Sequence, residues 1–458
     1  MPAGRSVAAL SLALASVACA ARQRPQPPAR GETEGAVYVY VQPLPDRVGG
    51  LSFSVEGAAA ERADGSAVPL RVRGPARIGR AGTRQRLLAA GDAPAGRYAG
   101  LRLTLSRNDP GAPEEPFLVP APFAVAERRA TVLWLSVRDE QVAAQASLPS
   151  LLALAQAHEA IPERAGAVVS AGSNDAVLFD VLRKQVTGAL LLDAAPGGVA
   201  LDPVARRLYV SLPERDELRS YDLATGERRD VARLRPGDGP GPVALAAGGA
   251  QLLVANAGSQ TVSLVDASSL VERARLPVGL GPVSILVNAA GTRAFVFNRR
   301  SSTATVVDVP NAAVAGTLAT DPEPLLGALD RTGTRLAVVC AGSLYASVLS
   351  VPELAPVQRL FVGLGASAVQ VDARTGLLYV ARPEGLGVFG QVSPLPIGAI
   401  SAAGRATRLR IEDADGTLLA MVPEAGALEV VDLAAGRSAS RVELVGEPVD
   451  FAIAGERR

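Results

Sequence analysis

Hydrophobic and polar positions alternate with a period of two in short runs over most of the chain, which predicts strands rather than helices. In the N-terminal third the runs are Val37-Tyr38-Val39-Tyr40-Val41, Leu51 to Val55, Val68 to Val72, Arg97 to Leu105 and Ala130 to Val137, separated by clusters of Gly, Pro and Asp. Leu101, Leu103 and Leu105 fall on one side of their strand and Arg102 and Thr104 on the other. One face is therefore expected in a core and the other in water. Residues 36–138 are expected to form a β-sandwich. Val142 to Glu159 is richer in Ala, Leu and Gln and predicts a short helix broken at Pro149, inside a linker over 139–165.

From Gly166 the alternation itself repeats. Val199, Val243, Val283, Leu325, Val369, Leu409 and Val449 occupy equivalent places, 40 to 44 residues apart. The clearest unit runs Gly281-Pro282-Val283-Ser284-Ile285, a turn at Ala290 to Arg293, Ala294-Phe295-Val296-Phe297-Asn298, and a third strand ending Val306-Val307-Asp308. Four short strands per period of about 40 residues predict the blades of a β-propeller. Val168 to Ser170, Ala176 to Asp180 and Gly188 to Leu192 supply strands two to four of a blade with no first strand, while Pro448 to Ala452 is a first strand with nothing after it. The two ends are expected to complete one another, so that an all-β chain carries an N-terminal sandwich and a seven-bladed propeller over 166–458 closed by its C-terminal strand. Closure removes an exposed edge.

Leu253-Val254-Ala255-Asn256 and the Val-Asp that follows resemble the YVTN repeat, named for a Tyr-Val-Thr-Asn strand; Tyr209-Val210-Ser211 and Tyr379-Val380-Ala381-Arg382 are more distant copies. The resemblance implies a propeller but no particular activity. Pro94 to Tyr98 with the strand that follows, and Pro122 to Val125 leading to Thr131 to Leu135, resemble an uncharacterised immunoglobulin- or transthyretin-like domain of bacterial lipoproteins. At the start, Arg5 precedes an apolar stretch from Val7 to Ala18 that is too short to span a bilayer, the order of a secretory signal peptide over 1–18. Ser16-Val17-Ala18-Cys19 resembles the bacterial lipobox, which implies acylation of Cys19; plain cleavage within Ala18 to Ala21 is the alternative. Residues 19–35 are expected to be a disordered stalk. Together these features place the protein, as an expectation, lipid-anchored in the bacterial envelope at the outer membrane, facing the periplasm or the surface.

Charge and inventory then narrow the function. Lys and Arg number 46 against 45 Asp and Glu, a net charge of +1, so no global field draws a nucleic acid. The single histidine, His158, lies in the linker, and no Cys-x-x-Cys-His run exists for covalent haem. With Cys19 acylated, Cys340 is the only thiol remaining, and its apolar run reads as a buried position. Gly237 to Gly241 precedes a strand rather than a helix, which excludes a phosphate-cradling loop. Asp413-Ala414-Asp415-Gly416 occupies a strand-to-strand turn and lacks the further oxygens of a calcium loop. No catalytic residue, metal or cofactor is assigned. The remaining candidate is a loop face at one end of the ring, formed by Asn174, Asp175, Arg215, Asp216, Arg299, Arg300, Arg382, Glu384 and Glu424, where an envelope protein or small ligand would dock. The leading expectation is a monomeric, non-enzymatic binding or scaffold lipoprotein; an exported hydrolase or lactonase with a carboxylate-bound metal in the channel, and a structural spacer, are the alternatives.

Overall fold

The computed structural model describes residues 33–43, 53–73, 76–78, 84–106, 115–138, 148–157, 162–390, 393–401, 404–412 and 416–454. Cys19, the stretch 1–18, most of 19–35, His158 and 413–415 lie outside them. The described chain is all-β apart from single helical turns. Six separate four-stranded antiparallel sheets follow one another, spanning 198–233, 240–277, 282–319, 324–361, 368–400 and 408–443; we number them blades 1 to 6. This is a β-propeller.

Blades 1, 2 and 6 share one local chemistry at the turn after the third strand. The Asp that ends a third strand turns its carboxylate onto backbone N–H groups two and three residues ahead: Asp222 accepts from Ala224 and Thr225, Asp266 from Ser268 and Ser269, Asp432 from Ala434 and Ala435. The chain then needs a left-handed residue before it can return as the outer strand, and Gly226, Leu270, Ala312, Leu354 and Gly436 supply it. Only two of these are glycines, so the turn is imposed by the sheet on side chains that do not favour it. Serines join neighbouring blades at the hub. Ser211 Oγ donates to the Gly241 carbonyl (2.5 Å), Ser284 Oγ to Leu325 (2.6 Å) and Ser367 Oγ to Ala406 (2.6 Å).

The expected seventh blade is not a separate sheet, which corrects the count to six. Glu447–Ile453 does pair antiparallel with Ala165–Ala171, followed by Asp175–Asp180 and Gln185–Leu191. That four-strand run, however, continues into a 13-stranded sheet. The reason is an unprotected outer edge: Ala189 and Leu190 pair with Ala130 and Arg129 of the N-terminal strand Arg129–Val137. The N-terminal strands are accordingly a large mixed sheet joined to the propeller. Glu34–Val41 runs parallel to Arg129–Val137 and antiparallel to Arg86–Pro94.

Burial explains the Val-Tyr alternation of Glu34–Val41 better than a wet face does. Val37, Val39 and Val41 enter the N-terminal core. Ala36, Tyr38 and Tyr40 enter a second core shared with Val168, Phe179, Met421, Val430 and Phe451. Both faces are dry. In Gly96–Leu105 the expected asymmetry is present: Leu101, Leu103 and Leu105 are buried and Arg102 and Thr104 are half-buried. The stretch expected as a linker supplies a strand, Leu152–Gln156, that pairs with Arg129–Val137, after a helical turn at Leu148–Leu151 that contains Pro149.

Candidate ligand-binding channel

The inner strands of neighbouring blades stand side by side around a central axis, and Glu447–Ile453 stands between those of blade 6 and blade 1. They enclose a cavity of about 580 Å³. Strand alternation decides what faces it. One residue beyond each equivalent repeat position comes Ala200, Ala244, Ser284 and Leu326 in blades 1 to 4, then Gln370, Arg410 and Asp450, and all of them line the cavity. The channel therefore has an apolar half and a polar half.

The polar half is charged. Arg408 Nε lies 3.6 Å from Asp450 Oδ1. Asp450 also accepts the Val199 N–H (3.3 Å), which ties the C-terminal strand to blade 1. Burial pushes the Asp450 carboxyl above its ordinary range, opposed by Arg408 and Arg410. Burial likewise draws the Arg408 guanidinium down, opposed by Asp450 and reinforced by Arg410. Arg410 donates to the Leu409 carbonyl (3.0 Å) and holds its guanidinium carbon 5.7 Å from the centre of the Phe451 ring.

One mouth is formed by turns between first and second strands, where Asp330, Arg331, Ala373 and Arg374 sit. The same residues border a second cavity of about 410 Å³ between blades 4 and 5. Asp330 is engaged locally: it accepts from the N–H groups of Thr334 (2.8 Å) and Arg335 (3.0 Å) and from Thr332 Oγ1 (2.7 Å). Burial alone would raise its carboxyl, but these hydrogen bonds hold it below the usual range.

The loop-face residues are at the opposite end, between second and third strands, and the structure gives most of them local work. Asp175 is fully buried and accepts the Tyr38 hydroxyl at 2.7 Å, so it is not on the exposed face. Asn174 and Asp216 are the left-handed residues that precede third strands. Asp216 also accepts from the N–H groups of Gly237 and Gly239, both at 2.8 Å, which gives that glycine-rich loop its anchor. Arg299 pairs with Glu323 (2.7 Å) and Arg382 with Glu384 (3.2 Å). Arg215, Arg300 and Glu424 are exposed. The face is present as a ring of loops, yet its charges are spent largely on neighbouring turns. Among the described residues, no three His, Cys, Asp or Glu side chains cluster as a metal site. Cys340 is buried, and burial, with Asp321 nearby, pushes its thiol up to about 12, which makes it an inert core residue.

Arg408, Gln370, Arg410 and Asp450 are not among the candidate residues that the sequence singled out. The signal was available: in Arg408-Leu409-Arg410-Ile411-Glu412 the charged residues occupy the alternate positions of an inner strand. Aligning Leu409 with Val199 already implies that Arg410 faces where Ala200 does.

No family model matches the chain and no curated protein matches it in sequence. Solved structures match by fold. A functionally unknown protein from Desulfotomaculum acetoxidans aligns with a TM-score of 0.54 at 12% identity, over 63% of this chain and 98% of that one. Dihydro-heme d1 dehydrogenase NirN in complex with DHE aligns with 0.50 at 15% identity, over 65% and 76%. Kuenenia stuttgartiensis hydrazine synthase aligns with 0.47 at 16% identity, over 56% and 88%. The fold class is thus that of β-propeller proteins.

Proposed function

We propose that the protein is a non-enzymatic binding module that takes a small ligand in the channel of its propeller, rather than a docking platform that works through its loop face. The observation that carries this reading is the 580 Å³ cavity walled by every inner strand, of a size that suits a small-molecule site, with a few charged groups set into an apolar lining. The loop face offers less, because Arg299 and Arg382 are engaged by Glu323 and Glu384. We further read the run Glu447–Ile453, Ala165–Ala171, Asp175–Asp180 and Gln185–Leu191 as doing the closing work of a seventh blade, and the N-terminal strands, with their own core, as a sandwich-like module fused to it. The Leu253 to Asn256 repeat supports a YVTN-type ancestry, and the lipobox-like Cys19 supports a lipid tether in the bacterial envelope. Native mass spectrometry of the protein purified gently from membranes tests both parts. A bound small molecule and an acylated mature N-terminus at Cys19 are expected; a mass equal to the bare polypeptide would oppose them.

The alternative reading is an exported hydrolase or lactonase with a carboxylate-bound metal in the channel, whose lining offers the carboxylates of Asp330 and Asp450. Elemental analysis separates the two, since stoichiometric calcium or zinc in the purified protein is expected only for the hydrolase.

A further inference from the structure

We infer that the channel recognises a small organic carboxylate with an apolar body; this deepens the reading of the channel as a ligand site and rests on it. The cavity is amphipathic in a directional way. Blades 1, 2 and 4 offer hydrocarbon at Ala200, Ala244 and Leu326, and blade 3 a serine, Ser284, whose hydroxyl is spent on the Leu325 carbonyl, at the level where the remaining strands carry Gln370, Arg410 and Asp450. A ligand that filled it would have to be apolar along one side and polar at one end.

The sign of that polar end follows from the wall. Arg408, Arg410 and Asp450, all in the cavity lining, carry one positive charge between them. Arg408 lines the cavity with 22% of its side chain accessible, although it contacts Asp450 and its Nη1 donates to the Thr407 carbonyl (3.0 Å). Guanidinium groups present paired N–H donors that match a carboxylate edge to edge. Four arginines, Arg331, Arg374, Arg408 and Arg410, stand against two aspartates, Asp330 and Asp450, along the whole lining, so the wall favours an anionic headgroup over a neutral or cationic one. Arg331 and Arg374 at the mouth give an anion a favourable entry.

Isothermal titration calorimetry on the full chain with decanoate and with decanol tests the inference, because the two share an apolar body and differ in the headgroup. Decanoate is expected to bind one per chain, at least tenfold more tightly than decanol. Arg410→Gln is expected to weaken decanoate tenfold or more and leave decanol unchanged. If that variant does not fold, Arg408→Gln/Asp450→Asn removes one charge of each sign and is expected to weaken decanoate alone. Equal affinity for the two compounds, or decanoate binding that neither variant weakens, overturns the carboxylate assignment while leaving a channel ligand site intact. Absence of binding by both compounds overturns the assignment and the channel reading together.

Discussion

Blade 2 and the seam where the ring closes hold themselves together by different means. In blade 2 the partners are local. Asn256 donates to Thr261 and Ser263 across one hairpin, Asp266 caps its own turn, and Arg275 reaches back to Asp238 through two nitrogens at 2.7 and 2.8 Å. At the seam the partners come from far away in sequence. Tyr38 donates to Asp175, Trp134 Nε1 to the Val186 carbonyl, the Val186 N–H to Gln85, and the Leu87 N–H to Glu443. Burial, with Asp175 and Glu443 nearby, drives the Tyr40 phenol well above its ordinary value, and its hydroxyl donates to the Glu443 carbonyl. These partners within blade 2 come from its own strands or the loop just before them, whereas the seam borrows its partners from the N-terminal strands. At this seam Glu447–Ile453 and Ala165–Ala171 pair with one another, and the N-terminal strands pack across them.

Truncating the chain before Glu447 is expected to damage the seam most severely. Phe451 and Ile453 would be lost from the shared core, at about 1.5–3 kcal/mol each, together with the ladder to Ala165–Ala171. Aggregation, or a loss of cooperative thermal unfolding, is expected; an unchanged melting temperature would refute the closing role of this strand.

Next in size is Arg275→Ala in blade 2, which leaves the buried Asp238 carboxylate without its guanidinium. About 3–5 kcal/mol of destabilisation is expected in urea melts at pH 7. Burial opposes ionisation of Asp238, but Arg275, Ser259 and the Arg235 N–H outweigh it and hold the carboxyl below its ordinary range. Its contribution is therefore present above the unfolded carboxyl pKa and fades as pH falls through the lower folded value. Without Arg275 only Ser259 and the Arg235 N–H oppose burial, and the carboxyl protonates more readily. The deficit of the variant is thus expected to shrink from pH 7 towards pH 3.

At the seam, Tyr38→Phe withdraws a donor from buried Asp175 and is expected to cost about 1.5–3 kcal/mol. Hydrogen exchange sharpens the point. Amides in Ala165–Ala171 and Asp175–Asp180 should lose protection in this variant while those of blade 2 keep theirs. The smallest effect concerns turn strain within the regular blades. Ala312 holds a left-handed conformation with φ of 47°, so Ala312→Gly is expected to be neutral or to stabilise by up to about 1 kcal/mol in chemical denaturation.

Much of this was legible in the chain. The 40- to 44-residue period, the four strands per unit, the Val-Asp turns and the pairing of Pro448 to Ala452 with Val168 to Ser170 all follow from alternation and spacing, because a blade is stabilised by neighbours close in sequence. The blade count was less legible. Nothing in Gln185–Leu191 announces that its free edge will meet Arg129 and Ala130. Of the loop-face residues, Asp175 illustrates the limit: its place at the start of a third strand suggests solvent, and a tyrosine 137 residues earlier covers it.

The sequence by itself determined the repeat, the all-β class and the alternation that points every second inner-strand residue at the axis, since these are local consequences of backbone geometry. Only the tertiary structure decided that Glu34–Val41 is dry on both faces, that the N-terminal sheet fuses with the ring, and that Arg408, Arg410 and Asp450 form one charged arc of the channel wall. Those outcomes depend on which surfaces approach in space, and burial then turns ordinary residues into a shared core or a charged wall.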